Sequence, residues 1–561
     1  MASLQYKEPR RIPDLREMLL ASTGIYTTCA AFHEKRDGVY QQISYGKLRH
    51  DIEALGTALN GYLPQNARVL VVGKNSYHRA LAFLTLICGA GVPIPVDVGV
   101  SAEDLAALAR EADANAIFYD ESAADKLVAL PGLTAVSLAA VPQLIQEGRQ
   151  ALDAGALSFF EKKIDPAAPA AVFYTSGTTG KAKGVMLSHN NIAFVLMQLA
   201  KTQAIEPVDC FLSVLPLSHI YECVAGLLYP LYAGASVAFG EGLHALMRNM
   251  REVHPTAMVT IPYLAEAIYR KFWELAARSG VETQMRRAIS ISDPVRPLAA
   301  RQALKERLLS PVRTRFGGAL RRMLVVGEFL DPAVQKGLRQ IGVFAVQGYG
   351  ITECAGFAAI GSEELYRDGT LGFALPDSMV DIYNKAQDGS GEIRCKGSHV
   401  MLGYYNNQAL TDRVLRDGWY YTGDYGKIDE DGFLHLIGRR QNCIERADGN
   451  LVSPEELEVM LRQSPFIKDA IVVGFYDEET KDYEPAALIV PDLTYTGEAY
   501  GIDFTDEELE GAVGEWVTEM NEGLPQYKQI TLFALRETPF PRNAAGRVMR
   551  AVLAEEMNAA K

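Results

Sequence analysis

The chain has 561 residues, of which 48% are hydrophobic and 22% charged, and its formal net charge at pH 7 is −14. This length is too great for one hydrophobic core and indicates two to four structural units, because domains usually contain about 100–200 residues. The composition is that of an ordinary globular protein. The acidic balance argues against nucleic acid as a partner, since a phosphate backbone requires a basic face.

The seven cysteines are scattered, with no CxxC pair and no clustered histidines. This spacing disfavours both a disulfide framework and a zinc site, and it predicts a cytoplasmic protein. The N-terminal residues 1–8 lack the apolar core of a signal peptide. The longest apolar run, 80–96, is interrupted by glycines and prolines and is shorter than the ~20 residues of a bilayer span. We therefore expect a buried helix followed by a strand, and no transmembrane segment.

Helical and strand patterns alternate through the first part of the chain. Residues 45–62 form an amphipathic helical pattern, with apolar side chains on one side. Short apolar strands are predicted at 69–72, 92–96 and 116–119, and Ser101 is suited to cap the helix that it precedes. Such alternation predicts an α/β fold with layered, mostly parallel sheets.

Residues 174–184, YTSGTTGKAKG, follow a short apolar run and combine hydroxyls, glycines and lysines. Glycines allow backbone N–H groups to converge on an anion, hydroxyls add donors, and a lysine adds positive charge. The loop lacks the Walker A spacing. Its composition alone would also fit a flexible polar surface turn, but its residue order favours phosphate binding.

Further elements are predicted beyond this loop. Residues 188–191 can cap a helix at 192–200, a strand is expected at 257–261, and a helix at 263–277. A strand at 432–437 precedes a charged segment and a new α/β unit of about 120 residues. We therefore predict a large multi-subdomain N-terminal body over residues 1–437 and a small, mobile α+β domain over 438–561.

Several further motifs follow in order. Taken alone, each has an ordinary explanation, because a glutamate after Gly-Tyr-Gly is usually solvated, an aspartate after Thr-Gly usually forms a turn, and a single histidine is usually structural. The motifs are LPLSHIYE at 215–222, QGYGITE at 347–353, WYYTGD at 419–424, GRRQ at 438–441, GNLVSPEELE at 449–458 and PRNAAGRVMR at 541–550.

Together with the 174–184 loop, these motifs resemble the AMP-forming acyl-adenylating superfamily, which includes acyl-CoA synthetases, luciferases and peptide-synthetase adenylation domains. The resemblance extends from about residue 40 to the C-terminus. The spacing within 215–222, 260–269 and 449–458 is most similar to the long-chain fatty acyl-CoA synthetase branch.

The resemblance implies a role for each matching residue. ATP would be held by a phosphate-binding loop, a metal-binding glutamate, a ribose-binding aspartate and a stacking tyrosine. The residues are Thr175, Ser176, Gly177, Thr178, Thr179, Gly180 and Lys183 for the phosphates, Thr352 for the α-phosphate, Glu353 for Mg²⁺, Tyr349 for adenine, Asp424 and Arg439 for ribose or phosphate, and His219, Gly327, Glu328 and Gly348 for the substrate pocket.

The implied reaction is ATP-dependent activation of a carboxylic acid, in this branch a fatty acid, to acyl-AMP with release of pyrophosphate. Rotation of the small domain, with Gln441 at the hinge, would then admit a thiol, in this branch that of CoA. Two alternatives remain open: delivery of the acyl group to a carrier-protein phosphopantetheine arm, and a weakly catalytic nucleotide- or acyl-binding protein.

Three departures from the family pattern bear on activity. Arg547 occupies the position of the usual catalytic lysine, and arginine is broader, planar and differently hydrated. Gln441 stands where the hinge commonly carries aspartate or lysine. The segment 325–329, VVGEF, is bulkier than the usual small residues, and Glu328 would be costly beside an alkyl chain. We therefore expect a non-standard acyl substrate, either shorter or carrying a polar group.

Overall fold

The computed structural model describes residues 8–157, 159–175, 182–290, 307, 309–327, 329–386, 388–439, 442–447, 451–501, 504–541 and 548–559. The contacts divide the chain into two compact units. The first unit comprises Met1–Val380, Cys395–Tyr420 and Gly432–Leu434, and the second comprises Asp381–Arg394, Tyr421–Asp431 and His435–Lys561. The domains 1–437 and 438–561 remain a sequence prediction, which limited proteolysis between residues 437 and 445 would test.

Strands alternate with helices through the first unit. Its strands are β1 (Ala30–Arg36), β2 (Val39–Ser44), β3 (Arg68–Val72), β4 (Val92–Val96), β5 (Ala116–Tyr119), β6 (Thr134–Ser137), β7 (Pro169–Thr175), β8 (Lys183–Ser188), β9 (Cys210–Ser213), β10 (Ser236–Phe239), β11 (Ala257–Thr260), β12 (Arg322–Val325), β13 (Phe344–Tyr349), β14 (Ala359–Ile360) and β15 (Phe373–Ala374). Its helices before residue 380 include α1 (Leu15–Ile25), α2 (Tyr45–Leu59), α3 (Tyr77–Thr85), α4 (Ala102–Glu111), α5 (Val141–Asp153), α6 (His189–Thr202), α7 (Tyr229–Ala233), α8 (Leu246–Val253), α9 (Pro262–Arg278), α10 (Glu282–Ser290) and α11 (Pro332–Gln340).

These strands form three sheets among the described residues. The largest has nine strands in the order β15-β14-β13-β12-β11-β9-β10-β1-β2, and its central pairs are parallel. A second sheet, β4-β3-β5-β6, is parallel throughout. The third contains the antiparallel hairpin β7–β8, with β18 (Gly403–Tyr404) at its edge. The predicted α/β class with mostly parallel sheets is therefore confirmed.

Local sequence explains why several predicted elements form where expected. Strand β3 is an apolar run whose Leu70 and Val72 pack in a hydrophobic core cluster. The Ser101 side chain caps α4 by accepting a hydrogen bond from the Asp104 N–H. Ser188 and Asn191 form a reciprocal capping box at the start of α6. The run 80–96 is, as predicted, a buried helical segment followed by β4.

A five-stranded sheet lies between residues 379 and 439. Its order is β16 (Met379–Tyr383), β17 (Gly391–Lys396), β20 (Trp419–Ile428) and β19 (Leu415–Arg416), with β21 (Leu434–Arg439) beside β20. The other elements from residue 379 onward are β18, α12 (Gln408–Val414), β22 (Ile444–Glu445), β23 (Leu451–Val452), α13 (Pro454–Leu461), β24 (Ile467–Asp477), β25 (Asp482–Pro491), α14 (Leu493–Tyr500), α15 (Asp506–Glu522), β26 (Leu532–Leu535) and α16 (Arg550–Ala559).

The C-terminal part of the second unit is a small α+β structure. Its sheet β24-β25-β26 carries one hydrophobic cluster that includes residues of α13 and α15, and another that includes residues of α16. The predicted strands 467–475 and 486–490 and the helix beginning at Pro454 are confirmed. Within the described part of the chain, no helix is both long and apolar enough to cross a bilayer.

Candidate active site

The carboxyl ends of neighbouring parallel strands gather many of the predicted site residues. Strands β9, β11, β12 and β13 are parallel neighbours in the nine-stranded sheet, and they end at Ser213, Thr260, Val325 and Tyr349. His219 follows β9, Gly327 follows β12, and Thr352 and Glu353 follow β13. In open α/β sheets, ligands bind outside the carboxyl ends of such strands.

The end of β13 is closely packed. Gly348 and Tyr349 pair with Ile360 and Ala359 of β14, and Tyr349 is only 5% exposed. A Cβ atom at Gly348 would lie 3.0 Å from the ring of Phe357. The glycine therefore allows this aromatic ring to pack directly against the strand.

His219 is connected to the same region through Tyr221. The two rings stack with their centroids 5.1 Å apart, and the Tyr221 hydroxyl donates a hydrogen bond to the Gly350 carbonyl. His219 is exposed. This position beside the loop that carries Thr352 and Glu353 is compatible with a pocket-shaping role.

Lys183, Tyr404 and Glu353 form a connected polar cluster in the first unit. The Tyr404 hydroxyl donates a hydrogen bond to Glu353 Oε1 at 2.7 Å. The Lys183 ammonium lies over the Tyr404 ring, with Nζ 5.7 Å from the ring centroid. One buried tyrosine therefore contacts a cation through its ring and a carboxylate through its hydroxyl.

A second tyrosine supports this arrangement. Tyr404 and Tyr420 are each 4% exposed, and their hydroxyls are hydrogen-bonded. Burial, together with the neighbouring Glu353 carboxylate, raises the pKa of both phenols well above its usual value. Both phenols are therefore neutral across the physiological pH range. Tyr404 donates to Glu353, and Tyr420 bonds to Tyr404 without adding charge.

The predicted phosphate-binding loop begins and ends at a β-hairpin. Thr175 at the end of β7 pairs with Lys183 at the start of β8, and both are partly exposed. Ser176, Gly177, Thr178, Thr179 and Gly180 lie outside the described residues. This strand pairing therefore holds the two ends of the loop next to each other.

Asp424 and Arg439 meet in the second unit. Asp424 Oδ1 and Arg439 Nε are 3.4 Å apart, and the aspartate side chain is 9% exposed whereas the arginine is 41% exposed. The Asp424 N–H donates to the Thr422 hydroxyl, which donates to the Ile393 carbonyl. This chain of hydrogen bonds fixes the backbone at the predicted ribose-binding aspartate.

The remaining predicted residues are divided between described and undescribed parts of the chain. Gly327 is exposed and has φ +101°. A Cβ added at this glycine would have the Ile261 side chain as its nearest neighbour. The preceding Val325 and Val326 are buried at 0% and 1% exposure. Glu328, Gln441 and Arg547 lie outside the described residues, so their predicted roles remain predictions.

Sequence reasoning missed the three tyrosines that support the site. Tyr221 lies inside the 215–222 motif but was not singled out, and Tyr420 lies inside the 419–424 motif. Tyr404 lies in none of the motifs. A clue was the aromatic pair 404–405 directly after Gly403, but nothing in its spacing connects it to Glu353, 51 positions away.

Comparisons with known proteins agree along nearly the whole chain. A model of the AMP-binding enzyme family matches residues 26–405, and a model of the AMP-binding enzyme C-terminal domain matches 442–560. A long-chain-fatty-acid–CoA ligase, FadD15 of Mycobacterium bovis, is 26% identical over 93% of this chain and 92% of its own length. The long chain acyl-CoA synthetase 1 of Arabidopsis thaliana is 29% identical over 79% of this chain and 73% of its own.

Solved structures share the fold. ATP-bound MatB from Rhodopseudomonas palustris aligns with a TM-score of 0.75 at 21% identity, covering 98% of this chain and all of that one. The o-succinylbenzoate CoA synthetase MenE of Bacillus subtilis, in complex with its acyl-adenylate intermediate, aligns with a TM-score of 0.73 at 20% identity. It covers 96% of this chain and 97% of the other.

Proposed function

Since this chain belongs to the family of AMP-binding enzymes, we propose that it activates a fatty acid with ATP and transfers the acyl group to CoA. The first step forms acyl-AMP as the carboxylate attacks the α-phosphate and pyrophosphate leaves. In the second, the CoA thiol attacks the acyl carbonyl and AMP leaves. This division suits the chemistry, because AMP is a good leaving group and a thiol is a good nucleophile.

The observation that carries this proposal is the contact of Tyr404 with both Lys183 and Glu353. ATP-dependent adenylation requires positive charge near the phosphates and a carboxylate for the metal that accompanies them. Lys183 borders the predicted phosphate-binding loop, and Glu353 follows the carboxyl end of β13. The contact of both groups with the buried Tyr404 supports the proposal that they act together.

Glu353 fits the role of the Mg²⁺ ligand. Mg²⁺ prefers oxygen ligands and is usually bound through one or two carboxylates plus substrate phosphates. The hydrogen bond from Tyr404 engages Glu353 Oε1, which orients the carboxylate and leaves Oε2 for a metal ion. When bound, Mg²⁺ would neutralise phosphate charge. Thr352, in the same turn, would donate a hydrogen bond to the α-phosphate.

An aspartate, an arginine and a tyrosine would recognise the nucleoside. Asp424 would accept hydrogen bonds from the ribose diol, with Arg439 adding a further contact. Tyr349 would pack on adenine. The loop residues 176–180 would bind the β- and γ-phosphates, and Arg547 would supply the positive charge that lysine supplies elsewhere in the family.

The relatives named above support a fatty acid and CoA as substrates. Segment 325–329 motivates a narrower proposal, a shorter or polar acyl chain. Because Val325 and Val326 are buried, this proposal depends on Gly327 and on the undescribed Glu328. An activity profile across chain lengths tests it directly, and a clear preference for plain long-chain saturated acids would overturn it.

The experiment for the whole proposal is ATP–pyrophosphate exchange over a panel of carboxylic acids, followed by detection of the acyl-CoA product by mass spectrometry. Exchange with fatty acids and a CoA thioester are expected. If exchange occurs but the acyl group is transferred only to a carrier-protein phosphopantetheine arm, the acceptor is the carrier protein and not CoA. No exchange with any acid would identify a nucleotide- or acyl-binding protein and overturn the proposal.

A further inference from the structure

A group of buried metal-ligand side chains lies directly beside the Thr352–Glu353 turn. The Sγ atoms of Cys354 and Cys395 and a ring nitrogen of His399 all lie within 4.8 Å of one another. All three residues are completely buried, at 0% exposure. They belong to the first unit, although they are separated in sequence by 41 and 4 positions.

The surroundings of His399 point to a missing partner. Its ring stacks on Phe194 with the centroids 5.8 Å apart. Within the described part of the chain, neither ring nitrogen has a hydrogen-bond partner. A neutral imidazole carries one donor and one acceptor, and buried polar groups are normally satisfied. An imidazole with both nitrogens unsatisfied beside two thiols therefore indicates a ligand that bonds to nitrogen and sulfur.

We propose that Cys354, Cys395 and His399 bind a Zn²⁺ ion. Thiolate and imidazole are the ligands that Zn²⁺ prefers, and a Cys₂His set with one further ligand is a known zinc coordination. Two thiolates neutralise the charge of Zn²⁺, whereas Cu⁺ in the same set would leave a buried negative charge, which is unfavourable. Binding releases the two thiol protons to solvent.

The observed spacing requires only a small contraction. With Zn–S bonds of about 2.3 Å and Zn–N bonds of about 2.0–2.1 Å, ligand atoms in a tetrahedral site lie roughly 3.5–3.8 Å apart. The three atoms, at separations up to 4.8 Å, would each need to move inward by less than ~1 Å, which rotation of the cysteine side chains provides.

The three ligands come from segments that are already joined by hydrogen bonds. Asn191 Nδ2 donates to the carbonyls of Ser398 and Val400, at 2.8 Å each, on both sides of His399. The Met401 N–H donates to the Glu353 carbonyl at 2.8 Å. A zinc ion would add a cross-link between β17, the loop after it and the turn that carries Glu353.

This site also explains why sequence spacing disfavoured zinc. Structural zinc sites are usually recognised from closely spaced pairs of ligands, and no CxxC pair occurs in this chain. Here the fold brings the end of β17 next to the turn after β13, and only His399 is close to a cysteine in sequence.

The first test is the metal content of the purified full-length protein after dialysis against a weak chelator. About one equivalent of zinc per chain is expected, and zinc below about 0.1 equivalent would overturn the proposal. One equivalent of copper would overturn the choice of ion. Titration of cysteine thiols in denaturant with a chelator should give all seven. Peptide mapping that finds Cys354 and Cys395 joined by a disulfide would overturn the proposal.

The second test locates the ion. Cys354→Ala, Cys395→Ala and His399→Ala should each lower the zinc content at least tenfold. Cys88→Ala, which removes a buried thiol outside the cluster, should retain it. Equal zinc in all four variants would overturn the proposal.

If the ligand variants do not fold, X-ray absorption at the zinc edge of the wild-type protein decides the question. Sulfur at about 2.3 Å and nitrogen at about 2.0–2.1 Å are expected. A shell of oxygen and nitrogen alone would show zinc bound elsewhere. None of these readouts depends on ligase activity, so this inference and the proposed function can fail separately.

Discussion

Two glutamates of the first unit come from neighbouring motifs of the chain and occupy opposite environments. Glu353 is partly exposed and accepts a hydrogen bond from Tyr404, whose ring lies beside Lys183. Glu222, at the start of the π-helical segment Glu222–Leu228, is 0% exposed. The difference shows that a motif supplies a carboxyl group, whereas the surrounding fold decides whether that group can serve a ligand.

The environment of Glu222 favours its protonated form. Burial raises the pKa of its carboxyl to about 8, against the opposing effect of the Ser213 hydroxyl and the Leu215 N–H. Within the described part of the chain, neither carboxyl oxygen has a partner at good hydrogen-bond geometry. A charged carboxylate would be costly there, so we interpret Glu222 as a neutral core residue at neutral pH.

The largest expected effect is that of Glu353→Gln. The amide keeps the shape of the side chain but removes the negative charge proposed to bind Mg²⁺. Adenylation should fall by about 10²–10³, as when another electrostatic stabiliser of a transition state is lost. ATP–pyrophosphate exchange measures this loss. Glu364→Gln, at an exposed residue a few positions downstream, is the matched control, and a similar loss in both variants would contradict the role of Glu353.

Glu222→Gln should instead change how stability depends on pH. The native carboxyl, with a pKa of about 8, keeps its proton between about pH 5 and 7.5, whereas an unfolded glutamate loses it. The free energy of unfolding should therefore fall by up to ~1.4 kcal/mol per pH unit over this window as pH rises, and level off above pH 8. Glutamine removes this contribution.

The measurement is the difference between the wild-type and Glu222→Gln unfolding free energies, obtained by chemical denaturation from pH 5 to 9. A difference that changes with pH below 8 is expected. Parallel curves would show that Glu222 is ionised in the folded protein. Exposed Glu103→Gln controls for the loss of one negative charge.

Gly226→Ala should destabilise the protein because of the same buried carboxyl. An added Cβ would lie 2.7 Å from Glu222 Cδ and 2.8 Å from each carboxyl oxygen. Glu222 is completely buried, so its carboxyl can move away only by displacing its packed neighbours, and a cost of about 1–3 kcal/mol is expected. The control is Gly24→Ala in α1, where a Cβ would meet no described heavy atom within 4 Å. That change should stabilise the helix by about 0.5–1 kcal/mol, and equal effects on the unfolding free energy would contradict the packing argument.

The sequence was sufficient to predict many of the helices and strands, for a local physical reason. Strands such as 116–119 and caps such as Ser188 depend on residues a few positions apart, so the pattern predicts them directly. Thr352 and Glu353 are candidates because they lie in one motif of the resemblance, and their roles stay predictions. Tyr404 could not be found in this way, because its contact with Glu353 depends on β18 pairing with β8.

The same reason explains which features the sequence pattern does not reveal. The buried cluster of Cys354, Cys395 and His399 depends on three segments that only the fold brings together. The protonation of Glu222 depends on burial, which its motif does not indicate. Side chains whose role depends on distant packing are therefore the ones that sequence reasoning overlooks, even when it identifies the residue next to them.

The smallest expected effect comes from Tyr404→Phe, which separates the orientation of Glu353 from its charge. The ring remains beside Lys183, and only the hydroxyl that donates to Glu353 is lost. This change leaves the charge of Glu353 in place and loosens only its orientation, so adenylation should fall by roughly 2–10-fold, or about 0.5–1.5 kcal/mol. Tyr405→Phe is a matched control, because its hydroxyl donates to Asp113 instead. In a Glu353→Gln background, Tyr404→Phe should cost less than it does alone, because there is no longer a carboxylate to orient. Additive losses in the double variant would show that Tyr404 acts through the packing of its neighbours and not through Glu353.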